Sequence, residues 1–199
     1  MFKGLMPVTR ALLLTCIAVF LLQQVAAEPL LVYGALWPLN GGPDFPPFQP
    51  WQLVSYAFLH GGFPHLAFNM LGLYMFGSEI ERLLGTRRFL TYYFVCVVGA
   101  AVAQLAVTFL GAGGAGPTVG ASGGIMGVLL AFALAYPQRK IIFLLLPIPM
   151  PAWLFVTLYG LAELFLGVTG TLSGVAHFAH LGGMAAGFLL ITYWRARRT

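Results

Sequence analysis

Charge is scarce in this sequence. Asp, Glu, Lys and Arg together make up 8% of its 199 residues, where a soluble domain carries about 25%. That shortage, beside 60% hydrophobic residues, excludes an ordinary soluble domain and points to a polytopic membrane protein whose core is the interior of a helix bundle. Cysteine is scarce too. Cys16 and Cys96 fall inside apolar runs and are expected as buried thiols, not a disulfide. Lys and Arg are missing from residues 28–64, whose only acids are Glu28 and Asp44. A disordered linker would be more polar. Trp37, Phe45, Phe48, Trp51 and several prolines suit a segment lying at the membrane interface.

The apolar runs predict an all-α membrane protein forming one domain over 1–199. Six spans are expected, at about 11–27, 65–81, 89–110, 122–136, 151–168 and 174–194. Val25-Ala26-Ala27 is similar to a signal-peptidase site, so a cleaved signal peptide stands as the alternative for the first run. The fourth span, of about 15 residues, is about 22 Å long against a hydrocarbon core of roughly 30 Å. It must start inside the membrane or sit in a thinned bilayer. A start inside requires the preceding loop to be re-entrant and buried in protein or lining a wet cavity. Residues 141–150 are apolar but broken by Pro147 and Pro149, which predicts a segment along the interface.

The formal net charge is +5. In a soluble chain this would suggest nucleic acid, but here the placement of the cations implies topology and no nucleic-acid partner. Lys3 and Arg10 precede the first span. Arg82, Arg87 and Arg88 separate the second from the third. Arg139 and Lys140 separate the fourth from the fifth, and Arg195, Arg197 and Arg198 follow the sixth. With six spans all ten fall on one face, which the positive-inside rule makes cytoplasmic together with both termini. Loss of the first span would leave the remaining charges equally well placed.

Polar side chains inside a bilayer are costly and usually mark function. His65 and Asn69 share a face near the outer end of the second span. Ser122 opens the fourth span below the outer surface. His177 and His180 lie in the outer half of the sixth, and Glu163 on the fifth is the only acid well inside a span. Gly120-Ala121-Ser122-Gly123 admits two readings. One is a small-residue packing seam. The other is a hydroxyl at a helix start, where free backbone N–H groups and a positive dipole end favour negative charge.

A serine hydroxyl needs a base to become a nucleophile, and histidine titrates in the range that suits the task. No acid lies on the sixth span to orient a histidine, so a Ser-His dyad is expected over a full triad. Asn69, a histidine and the backbone N–H at the head of the fourth helix offer donors to an oxyanion. Gly123 and Gly127 on the fourth span, with Gly183 and Gly187 on the sixth, permit close helix packing that could join Ser122 to a histidine. His177, His180, His60 and His65 could instead bind a metal, although no carboxylate is expected at that depth. His60 reads most simply as an interfacial loop residue.

Several motifs resemble the rhomboid intramembrane serine proteases. Pro50-Trp51-Gln52-Leu53-Val54 through His60-Gly61-Gly62 is similar to that family's first loop, and His65-Leu66-Ala67-Phe68-Asn69 to its His-x-x-x-Asn. Glu81-Arg82-Leu83-Leu84-Gly85 is similar to the turn after its second span. Gly120-Ala121-Ser122-Gly123 resembles its Gly-x-Ser-Gly, and Ala179-His180-Leu181-Gly182-Gly183 with Gly187 its last motif. The resemblance covers about residues 48–194. It implies Ser122 as nucleophile, His180 as general base, and oxyanion help from His65, Asn69 and the Ser122 backbone. His177 receives no catalytic role from it.

The expected activity is cleavage of peptide bonds in or beside transmembrane segments of single-span proteins, without cofactor or metal. The compact six-span form points to a bacterial inner membrane. The rival readings are a catalytically silent relative that binds membrane proteins, and a small transporter or channel. Intact Ser122 and His180 oppose the first. The lack of a repeated half opposes the second.

Overall fold

The computed structural model describes residues 4–111, 116–143, 146–171 and 174–197. Part of the glycine-rich lead-in to Ser122, as well as Lys3 and Arg198, lies outside the described residues. The chain is predominantly helical. Helix α1 (Pro7–Gln23) begins at a proline, whose missing N–H costs nothing at a helix start. Its first free N–H groups go to the next part of the bundle. Val8 and Thr9 donate to the Glu81 carboxylate at 3.0 and 2.8 Å, and Met6 donates to Ser78 Oγ. This cap explains why α1 starts a few residues earlier than the apolar run at 11–27 suggests.

Residues 27–64 carry regular structure, which a segment lying at the membrane interface admits. They contain α2 (Ala27–Gly34), the single turn α3 (Gln52–Ser55) and a 3-10 turn at Tyr56–Phe58. Helix α4 (Phe63–Gly72) runs through a π turn at Leu73–Gly77 into α5 (Ser78–Leu84). Then come α6 (Thr86–Phe109), α7 (Ser122–Ala135), α8 (Ala152–Thr169) and α9 (His177–Ala196). By length and composition, α6 and α8 are long and apolar enough to cross a membrane.

One difference from an all-α fold lies between α7 and α8. Strands β1 (Lys140–Phe143) and β2 (Leu146–Pro151) pair antiparallel, with Lys140 opposite Pro151 and Ile141 opposite Met150. The prolines that exclude a helix here are tolerated because a two-stranded sheet consists only of edges.

Packing centres on α6, α7 and α9. Small residues make this possible. A Cβ on Gly183 would run into the carbonyl of Gly123 across the α7–α9 contact, and one on Gly127 would meet the Cys96 thiol of α6. Gly187 faces Tyr92 of α6, so α6 completes a three-helix junction instead of Gly187 packing against α7. The Tyr92 hydroxyl donates to the Gly127 carbonyl at 2.7 Å and the Tyr56 hydroxyl to the Val97 carbonyl at 2.8 Å. Both phenols are buried, and each has the partner that burial demands. Helix α8 differs in kind. It packs chiefly on α9 and α7, and its buried residues are only Ala152, Val156 and Glu163.

Candidate active site

Ser122 is the first residue of α7, and the backbone before it is fixed by three hydrogen bonds. Thr118 exchanges both backbone hydrogen bonds with Leu36, and the Gly120 N–H donates to the Tyr56 carbonyl at 3.0 Å. Gly120 has φ +124°, a conformation that side chains disfavour, and a Cβ there would stand 2.7 Å from the His65 ring. The same point lies 3.7 Å from Ser122 Oγ, so Gly120 is a gap through which His65 and Ser122 flank one space.

Across the Gly123–Gly183 contact, His180 Nε2 lies 2.7 Å from Ser122 Oγ. The two residues are 58 apart in sequence and meet because α7 and α9 touch backbone to backbone. His65 is oriented by its own loop. The Gly61 N–H donates to His65 Nδ1 at 3.3 Å, so that nitrogen is the acceptor and, in the neutral ring, Nε2 carries the hydrogen on the side of Gly120 and Ser122. Asn69 is buried, and its amide donates to the His65 carbonyl at 2.8 Å, which leaves its second N–H.

Ser122, His180, His65 and Asn69 line one open cavity of about 1440 Å³, together with Met126 and apolar residues of α4 and α8 such as Phe68 and Phe155. His60 is a loop residue, as its sequence context suggests. It is buried with its ring edge-on to His65 at 5.3 Å between centroids. Burial, with the His65 ring adding to the shift and the Phe58 carbonyl opposing it, pushes the His60 imidazole down to about 4.

An acid does reach the histidines, but from α8. Glu163 Oε2 lies 2.6 Å from His177 Nδ1, and Glu163 Oε1 lies 3.0 Å from His180 Nδ1. The second contact is close but not in line with the ring N–H, so His180 Nδ1 has no aligned acceptor among the described residues. The absence of an acid on the sixth span therefore did not leave the base without a carboxylate neighbour. The sequence carried half of the signal: an intramembrane acid needs a partner, but nothing in the sequence placed Glu163 at the depth of the α9 histidines.

Comparison with known proteins gives a consistent result. Residues 47–197 match the family model described as the Rhomboid domain. The chain is 28% identical over 195 residues to the Rhomboid protease GlpG of Yersinia pestis (strain Pestoides F), covering 97% of this chain and 64% of that protein. It is 33% identical over 146 residues to the mitochondrial Rhomboid protein 1 of Saccharomyces cerevisiae, covering 69% of this chain and 40% of that one. The chain thus spans less than two thirds of the length of these relatives. Because the family match takes in every residue of the cavity described above that comes from α4, α7, α8 and α9, the chain belongs to the rhomboid family.

Proposed function

We propose that this protein is an intramembrane serine endopeptidase that cleaves transmembrane segments of single-span membrane proteins by a Ser122–His180 dyad. The observation that carries the reading is the 2.7 Å approach of His180 Nε2 to Ser122 Oγ at the head of a helix, beside a second histidine whose Nε2 faces the same space. That distance lies within hydrogen-bond reach of a general base.

In the proposed reaction the Ser122 hydroxyl attacks the scissile carbonyl carbon while His180 Nε2 takes its proton. The oxyanion accepts hydrogen bonds from His65 Nε2–H, the free Asn69 N–H and the Ser122 backbone N–H. Imidazolium His180 then protonates the departing amine. Water repeats the sequence on the acyl-enzyme and releases Ser122. Each group comes from the chain itself, so no metal or cofactor takes part.

The membrane arrangement belongs to the same reading. The whole chain, 1–199, forms one domain of six spans, with the loop before α7 re-entrant from the non-cytoplasmic face, both termini cytoplasmic and a bacterial inner membrane as the site of action. The α8 face bearing Trp153, Leu158, Leu161, Leu164 and Phe165 is exposed and apolar, which suits contact with lipid. Ser122 opens α7 on the open cavity, where water and an unwound substrate segment can meet it.

The test is incubation of the purified protein, in bilayers, with a panel of single-span reporter proteins, beside Ser122→Ala. Cleavage that stops in the variant supports the reading. No cleavage of any reporter, together with no labelling by a serine-reactive fluorophosphonate, overturns it.

A further inference from the structure

We infer that Glu163 is a positioning residue for the base, holding His180 Nδ1–H so that Nε2 presents its lone pair to Ser122 and offsetting the charge the ring gains when it takes the serine proton. The inference rests on the protease reading but reaches past its two reacting residues.

The argument starts from His177. Its Nε2 lies 3.2 Å from the Thr171 carbonyl, which can only accept, so Nε2 carries a hydrogen. Its Nδ1 lies 2.6 Å from Glu163 Oε2, and one proton is shared between them. Whether that proton sits on the ring or on the carboxyl, the pair is neutral as a whole. In both cases Glu163 Oε1 is left as an acceptor, and it points towards His180 Nδ1 at 3.0 Å. The Tyr159 hydroxyl, one turn earlier on α8, approaches the same carboxylate.

A tautomer follows. With Nδ1 facing an oxygen that accepts, neutral His180 carries its hydrogen on Nδ1, and Nε2 is free to take the serine proton. When it does, the ring becomes a cation beside a carboxylate whose other oxygen is already paired. The present contact is off the N–H line, as catalytic hydrogen bonds often are before substrate binds, and it can align as charge develops. Burial argues the same way. Glu163 is 5% exposed on a helix whose neighbouring residues are largely exposed and apolar. An acid inside a membrane bundle is costly to keep, and a partner on α9 accounts for it. His177 makes the carboxylate tolerable, and the carboxylate serves His180.

A role limited to pinning α8 onto α9 is the competing explanation, and two variants of the full chain separate them. E163Q keeps the shape and can keep the hydrogen bonds but removes the charge. It is expected to lower kcat on a single-span reporter by at least about tenfold, with KM within about twofold. E163L removes the acceptor. Only four histidines are present, so nitrogen-15 NMR of histidine-labelled protein, assigned through His180→Gln, reads the His180 tautomer directly. The expected result is a shift of the hydrogen from Nδ1 to Nε2 in E163L. A loss of threefold or less in E163Q, or an unchanged His180 tautomer in E163L, overturns the inference. If E163L does not insert, E163Q decides alone. Failure of the protease reading looks different: the unsubstituted protein itself neither cleaves nor labels, and the tautomer measurement still stands.

Discussion

Gly183 and Gly123 meet backbone to backbone. A Cβ built on Gly183 would strike the Gly123 carbonyl oxygen and stand 2.8 Å from its carbonyl carbon. The contact lies one residue beyond Ser122 on α7 and three beyond His180 on α9, so it sets the separation of the two proposed reacting groups. Gly183→Ala is therefore expected to disable cleavage although it adds only a methyl group to an apolar helix. The helices must part, and a displacement of about 1 Å can cost roughly a hundredfold in rate. Cleavage and circular dichroism measured on one preparation check this. Near-normal activity would mean the seam does not control the Ser122–His180 distance.

The two histidines of α9 should behave differently. His180→Ala removes the only histidine ring hydrogen-bonded to Ser122 Oγ among the described residues, and is expected to abolish cleavage. The His177 ring is instead bonded to Glu163 and the Thr171 carbonyl. His177→Ala is expected to keep measurable activity, reduced because Glu163 loses its partner. An inactive His177→Ala beside an active His180→Ala would exchange their roles.

Activity should survive removal of metal ions. A serine mechanism carries its own nucleophile, whereas a metal site would have to activate water. The check is cleavage after dialysis against EDTA. Loss of rate that zinc restores would refute the serine reading.

Much of the site was legible because local spacing encodes it. Gly120 to Gly123 reads as a helix start with small neighbours, and the i, i+4 spacing of His65 and Asn69 puts them on one face. Glu163 was visible as an intramembrane acid, but its partner was not. Its link to α9 depends on the rotation and height at which α8 docks, which no local pattern specifies. The same limit explains Gly187. Its spacing from Gly183 suggested a seam with α7, yet helical rotation turns it towards Tyr92 of α6. The hairpin at Lys140–Pro151 escaped for another reason: its prolines read as breakers, and a two-stranded pairing leaves little pattern in the sequence.

The last prediction concerns stability and pH. His60 is buried 5.3 Å from the His65 ring, and its Nε2 has no partner among the described residues. Burial foremost, with His65 adding and the Phe58 carbonyl opposing, holds its pKa near 4 against 6.5 for the free side chain. The folded protein therefore refuses a proton that the unfolded chain accepts. Stability is fully present above about pH 6.5 and is lost as pH falls towards 4, by about 3 kcal/mol at most for this one group. Thermal unfolding in detergent should show Tm falling across that window. His60→Phe keeps a ring of similar size without the titrating nitrogen, and should flatten the fall relative to the unsubstituted protein. The comparison of slopes isolates His60 from other groups that titrate nearby. Equal slopes in the two proteins would show that His60 gains no proton on unfolding, and would remove it as a source of acid sensitivity.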